Sequence, residues 1–259
     1  MSLPDSIRNE LQQFIRELAQ QSGELILPYY ADHTLVVDQK SNQTPVTIAD
    51  REGERIMREM IEKRFPLHGV IGEEFGSYQE DAEFVWTLDP IDGTISFTHA
   101  CPLFGTLIGL LYKGKAVLGA IHQPVLKQLV LGDGKTTLFN ERKVFVRETA
   151  TLAEASLFTT DVDTIAKARG SEGFNDLRSK TKLFRTWGDC YGYLLLAGGF
   201  ADIMLDGMMN PWDLIPLIPI IEGAGGIISA WDGSDVLQAD SAVAASKSLH
   251  NQVINILNG

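Results

Sequence analysis

The chain has 259 residues, 44 % hydrophobic and 8 % aromatic, enough to bury a full core in one large or two closely joined domains. A formal net charge of −12 and the lack of any basic run argue against a nucleic-acid partner, because phosphate backbones are held by clustered Lys and Arg. The opening MSLPDSIRNE has no basic-then-apolar pattern, and the most apolar stretch, 214–221, carries Pro216 and Pro219 and stops at Glu222, so a cytoplasmic protein without membrane spans is expected. Cys101 and Cys190 form no CxxC and no zinc spacing, which predicts reduced thiols.

Apolar residues at helical spacing from Ile7 to Tyr29 predict an opening amphipathic helix, and a second is expected from about Ala49 to just before Pro66. The polar segment Lys40 to Thr47 between them has the composition of a surface loop near a site. Short strands follow, GVI ahead of Gly72-Glu73-Glu74 and FVWTL ahead of Asp89. From Leu103 to Val146 the pattern predicts an antiparallel sheet with turns at Lys113-Gly114-Lys115 and Asn140-Glu141-Arg142. After about Ala150 strand-like and helix-like pieces alternate: ASLFTT, a polar helix over 164–178, KLFRTW, a helix over 189–197, and ADIMLD. A helix beginning near Pro211 and ending in the glycines of EGAGG, the strand IISAW and a last helix over 246–257 complete an α+β half, 1–150, and an α/β half, 151–259. With no repeat or long linker, the halves are expected to share one packed body.

Five acids stand at the ends of these elements: Asp50, Glu73, Asp89, Asp92 and Asp213. Chains seldom bury carboxylates without compensating charge, and an all-oxygen set without thiolates or paired histidines suits a hard cation such as Mg²⁺. The hexapeptide DPIDGT, 89–94, concentrates the chemistry. Pro90 fixes φ and donates no hydrogen bond, which predicts a strand ending after Asp89 and a turn that aims Asp89 and Asp92 into one pocket. Gly93 leaves room for a phosphate at the start of a helix or turn, and the Thr94 hydroxyl could orient or deprotonate a water. A plain Asp-rich turn capped by threonine is the structural alternative. Other motifs fail: GDGKTT has Leu129 where a phosphate-binding loop needs its first glycine, and EGAGG has Ile228 in place of the last glycine of a dinucleotide fingerprint. The five histidines show no metal-binding spacing and are expected in surface or packing roles.

Taken together, Gly72-Glu73-Glu74, DPIDGT, Trp212-Asp213 and VTIAD ahead of Asp50 resemble the inositol monophosphatase family of lithium-sensitive, Mg²⁺-dependent phosphatases over nearly the whole chain. The resemblance implies a layered α-β-α-β-α sandwich, a homodimer, and hydrolysis of a phosphate monoester by a metal-activated water. Carried onto this sequence, it makes Glu73, Asp89 and the Ile91 carbonyl ligands of one Mg²⁺, with Asp89 bridging to a second ion held by Asp92 and Asp213, and a third, weaker ion near Glu73. Gly93 and Thr94 would bind phosphate, while Thr94, supported by Asp50 and Glu73, would activate the water. Lys40 matches a loop lysine near the site; as sequence alone it is equally a solvated surface charge.

The stretch RTWGDCYGYLLLAGG, 185–199, departs from the inositol phosphatases, and with PLFGTLIGL and WDLIPLIPIIEGAGG it resembles the histidinol-phosphate phosphatase branch. That substrate carries an ammonium and an imidazole, so Asp189 could pair with its cationic end; as a structural residue, Asp189 would be a helix N-cap. Asp206 sits where the resemblance places leaving-group contacts, alongside Asp92 and Asp213. The expected activity is L-histidinol phosphate hydrolysis, the alternative being an inositol-1-phosphate or broad-specificity phosphatase.

Overall fold

The computed structural model describes residues 3–39 and 45–259, so Lys40 lies outside the described residues. In chain order the first elements are α1 (Asp5–Ile26), β1 (Asp38–Gln39), β2 (Pro45–Val46), α2 (Ile48–Arg64), β3 (Gly69–Gly72), β4 (Gly76–Tyr78), β5 (Phe84–Asp92) and α3 (Thr94–Thr98). The strands β6 (Gly105–Tyr112), β7 (Lys115–Gln123), β8 (Gln128–Gly132), β9 (Thr137–Phe139) and β10 (Arg142–Val144) follow. The remainder is β11 (Ser156–Phe158), α4 (Val162–Arg169), α5 (Glu172–Lys180), β12 (Leu183–Arg185), α6 (Asp189–Ala197), β13 (Ile203–Asp206), α7 (Pro211–Gly223), β14 (Ile227–Ser229), β15 (Ala242–Ala245) and α8 (Lys247–Asn258).

Eight strands form one sheet in the order β10-β9-β8-β7-β6-β5-β3-β4, antiparallel except for the parallel pair β3–β5. Five form a second sheet, β12-β11-β13-β15-β14, in which β11 runs parallel to both its neighbours. Strand alternation sets the layers. Leu88, Ile108, Leu110, Leu118, Ala120 and Leu131 pack outward on α1 and α2, where Leu11, Phe14, Ile15, Leu18, Met57 and Ile61 are buried. Each such side chain contributes about 1.5–3 kcal/mol by leaving water. Leu107, Ile121 and Val130 point the other way, to α6 and α7, which also meet Phe158, Met204, Ala242 and Ala244 of the second sheet. The opposite face of that sheet, Leu157, Ile203, Leu205, Val243 and Ala245, packs on α4, α5 and α8. The result is the expected α-β-α-β-α sandwich. Among the described residues no helix is long and apolar enough to cross a membrane, and Cys101 and Cys190 are both free thiols.

The local departures from expectation have physical causes. Helix α1 ends at Ile26, ahead of Pro28, which cannot continue the backbone ladder. The polar helix expected over 164–178 is two helices, α4 and α5, parted at Gly170 with φ +78°. Strand β5 does not stop at Asp89. It runs through Pro90 to Asp92, with Asp89 opposite Leu107 but Asp92 opposite Gly105, so it gains one residue on its partner. In a regular strand residues three apart face opposite sides; the extra residue lets Asp89 and Asp92 share one.

Helix α7 is seated on backbone. Thr87, Gly109, Gly119 and Gly132 are successive register partners across β5 to β8, and a Cβ on Gly119 would lie 1.9 Å from the Pro216 carbonyl oxygen. One on Gly132 would lie 2.4 Å from Ile220 Cα. Glycines here allow a close approach, and the helix is tied down further where Thr137 Oγ1 donates to the Ile220 carbonyl at 2.6 Å and Gly134 N to the Pro219 carbonyl at 3.0 Å. Asp202, ahead of β13, anchors the chain passing between the sheets: it accepts hydrogen bonds from Arg147, Thr149, the Ser156 hydroxyl at 2.7 Å and the Ser156 N–H at 2.7 Å.

Gly119→Ala should therefore lower the unfolding free energy by about 2–3 kcal/mol, read from urea midpoints, because the new methyl meets a carbonyl that cannot move without the whole helix. Burial raises the Asp202 carboxyl, but its hydrogen bonds outweigh this and bring it down to about 2. A depressed carboxyl stabilises the fold above its unfolded value, about 3.9, and that contribution disappears as pH falls through about 2. Asp202→Asn should cost on the order of 2 kcal/mol at pH 7, with the difference from the parent shrinking between about pH 4 and pH 2 in thermal unfolding series.

Candidate active site

Each of the converging acids is placed by a backbone feature. Asp89 and Asp92 share a side of β5 through the extra residue, and the Asp89 carboxylate accepts the Ile91 N–H at 2.9 Å. Asp213 lies in the first turn of α7, where Pro211 starts the helix and Asp213 closes a capping box by accepting the Asn210 N–H at 2.8 Å. Ligand oxygens of Asp89, Asp92 and Asp213 all lie within 4.8 Å of one another. Glu73, in the turn between β3 and β4, is fixed by its N–H to the Leu88 carbonyl at 3.2 Å and lines the same cavity. That cavity, of about 470 Å³, also takes in Ile91, Gly93, Thr94 and Asp189.

The charges oppose one another. Asp89 is pushed well above the usual carboxylate range by burial and then by Glu73, Asp92 and Asp213. Asp92 is raised by burial and Asp189, and Asp213 by burial and Asp92. Among the described residues no Lys or Arg lines this cavity or the one adjoining it. A set of carboxylate oxygens and a carbonyl, without imidazole or thiolate, fits a hard divalent cation of the Mg²⁺ kind and not zinc. No described histidine lines either cavity. The buried Cys190 thiol is pushed up by burial and then by Asp92 and Asp189, which disfavours the thiolate that a nucleophile needs.

Thr94 and Asp50 meet from different elements. Thr94 Oγ1 is 3.1 Å from the Ile91 carbonyl oxygen and 3.4 Å from Asp50 Oδ1. Asp50 in turn accepts the Thr47 N–H at 2.8 Å and hydroxyl at 2.6 Å, the capping box that opens α2. Burial raises the Asp50 carboxyl, opposed by those bonds and helped by Glu73, so it is poised to take a proton. Gly93 precedes α3 with φ +90°, and a Cβ there would come within 2.9 Å of both Asp189 Oδ2 and the Leu103 carbonyl. Glycine is thus required both by conformation and by the carboxylate beside it.

Asp189 is not an N-cap. Gly188 holds that position, Asp189 is the first residue of α6 with φ +49°, and the carboxylate makes no capping bond. The N-terminus of α6 is met instead by Asp92, whose Oδ2 accepts the Cys190 N–H at 2.5 Å. Burial, Asp206 and Asp213 bring the Asp189 carboxyl up to about 7. Asp206 is buried at the end of β13 and raised to about 6 by burial, less what it regains from Thr160, Tyr193 and Thr159. Both line an adjoining cavity of about 200 Å³ that shares Asp92 and Asp213 with the first.

Sequence reasoning missed Thr160 and Asp161, which line both cavities, and Glu54, which is fully buried behind the Glu73 turn. For Glu54 a signal existed: it follows Asp50 by four residues, on the same face of α2. Glu74, whose role the sequence left open, gives its N–H to Glu54 at 2.6 Å.

Comparison with known proteins agrees with this geometry. Residues 8–258 match the model of the inositol monophosphatase family. The chain is 42 % identical over 234 residues to the bifunctional phosphatase IMPL2, chloroplastic, of Arabidopsis thaliana, covering 88 % of this chain and 67 % of that protein. It is 36 % identical over 250 residues to a histidinol-phosphatase of Chlorobaculum parvum, covering 95 % and 96 %. An inositol monophosphatase structure from Zymomonas mobilis superposes with a TM-score of 0.86 at 32 % identity, covering 97 % of this chain and 98 % of that one. With the layered sandwich and the acid cluster in place, the chain belongs to the inositol monophosphatase family.

Proposed function

We propose that the protein is a Mg²⁺-dependent phosphomonoesterase whose substrate is L-histidinol phosphate. The observation that carries the substrate class is the Asp189 carboxylate. It lies beside Gly93 at the junction of the two cavities, it accepts no hydrogen bond from the described residues, and burial with neighbouring carboxylates pushes it up to about 7. A cationic group beside it relieves that repulsion, where a neutral polyol would not. Asp206 adds a second carboxylate on the same wall. The likeness to a named histidinol-phosphatase supports the same choice. An inositol phosphate is the second reading, favoured by the Thr160 and Thr164 hydroxyls on that wall and by the likeness to the Zymomonas mobilis enzyme. By family likeness the working unit is a homodimer, inhibited by Li⁺.

Glu73, Asp89, Asp92, Asp213 and the Ile91 carbonyl would hold two to three Mg²⁺ ions. Bound there, Mg²⁺ neutralises phosphoryl charge and lowers the pKa of water. The chain's own groups do the rest. Gly93 and Thr94 offer backbone N–H groups to phosphate oxygens where α3 begins. Thr94 Oγ1 accepts a hydrogen bond from the attacking water and directs its own proton to Asp50 Oδ1, so a proton leaving the water reaches a carboxylate already raised by burial. The new P–O bond forms as the bond to the alcohol oxygen breaks, the leaving oxygen takes a proton from solvent water, and Asp189 and Asp206 hold the cationic end of the departing alcohol.

Asp92→Asn should reduce phosphatase activity to background. Its amide oxygen can still accept the Cys190 N–H, and one repelling charge is gone, so the unfolding midpoint without divalent cations should hold or rise. Near-parental turnover at saturating Mg²⁺ would refute the ligand assignment. Asp189→Asn should lower kcat/KM for histidinol phosphate by about 10- to 150-fold while changing inositol-1-phosphate or glycerol phosphate hydrolysis little, the loss expected for one charge-assisted hydrogen bond. Equal losses on all substrates would contradict a recognition role.

A further inference from the structure

Two faces of the chain's chemistry are held by one helix. Asp50 reaches Thr94 from α2, and one turn further along Glu54 reaches the turn that carries Glu73. Glu54 is fully buried, yet it is an ionisable group with no place among the cavity-lining residues. Its Oε2 accepts the Glu74 N–H at 2.6 Å, and its Oε1 accepts the Phe75 N–H at 3.2 Å and Arg58 Nε at 2.6 Å. Arg58 also donates to the Gly76 carbonyl, so the pair grips three consecutive residues of the turn. From the other side the Glu73 N–H is bound to Leu88 of β5. Gly72 makes the grip possible: a Cβ there would lie 2.1 Å from Glu54 Oε1.

We propose that Glu54 is a positioning residue for the cation site, fixing the Glu73 carboxylate by binding the backbone N–H groups that immediately follow it, with Gly72 kept as glycine to admit the Glu54 carboxylate. This rests on the reading of Glu73 as a cation ligand. A buried carboxylate that only stabilised the fold would act on unfolding; one that sets a ligand acts on cation affinity. A glutamine at this position keeps one acceptor oxygen but turns an NH₂ toward N–H donors, so at least one donor of the turn is left unpaired and the turn loosens.

Mn²⁺ binding, measured by electron paramagnetic resonance titration, and the Mg²⁺ concentration for half-maximal phosphatase activity test the proposal in Glu54→Gln. Both should shift by about 10-fold or more to higher concentration, with kcat at saturating Mg²⁺ within about threefold of the parent. Arg55→Ala, which removes an exposed pair with Glu52 and Glu59 on the same helix, should shift neither. Should Glu54→Gln not fold, Arg58→Gln carries the test, with a smaller shift in the same direction. Unchanged Mn²⁺ affinity in a folded variant, with only its melting temperature lowered, overturns the proposal. A parent protein that binds no Mn²⁺ overturns the underlying cation-site reading instead, so the two failures are told apart.

Discussion

Direct contact between the backbone of α7 and a stripe of glycines across β6, β7 and β8 is the constraint on which the rest of the molecule depends. Side chains normally hold a helix away from the backbone of a sheet; here they are absent at Gly109, Gly119 and Gly132, and the helix carries its prolines directly onto the strands. Asp213, in the first turn of that helix, thereby arrives at the end of β5, where the added residue has turned Asp89 and Asp92 to the same side. One approach between layers and one irregularity in a strand thus bring Asp213 to Asp89 and Asp92, the nearer of which is 121 positions away in sequence.

The cation end and the substrate end of the site are joined through α6. Asp92 serves the cluster with its carboxylate, yet the same group takes the Cys190 N–H, so the start of α6 is held by a cluster member. Asp189, one residue earlier, is presented in a left-handed conformation that a non-glycine residue adopts only where its surroundings hold it. The Asp189 carboxylate is therefore registered against the Asp92 carboxylate of the cluster. On the proposed function, recognition of the alcohol and assembly of the cation site share that one hydrogen bond.

Much of this was legible in the sequence because it is encoded locally. The antiparallel sheet of the first half and the α/β alternation of the second follow from strand and helix periods, the layered sandwich is what the family resemblance implies, and the hexapeptide 89–94 brings site chemistry together in adjacent residues. What Pro90 does was not legible: its fixed φ predicts a strand end, whereas the pairing of β5 with β6 absorbs it as an extra residue. A helix cap stayed open as the structural alternative for Asp189 because capping preferences are local, and only the three-dimensional neighbour Asp92 shows which carboxylate meets that helix. Glu54 left a faint trace in its spacing from Asp50, but its partners are backbone N–H groups 20 and 21 residues away, which no pattern of side chains reveals.

The central claim is that the fold assembles mutually repelling carboxylates and that a hard cation relieves the repulsion. Its most direct test is unfolding of the chelated protein with and without Mg²⁺ at constant ionic strength. At a Mg²⁺ concentration about 100 times its dissociation constant, the folded state should gain about 2.7 kcal/mol, a rise in melting temperature of several degrees. A melting temperature identical in Mg²⁺ and in a monovalent salt of matched ionic strength would contradict the account.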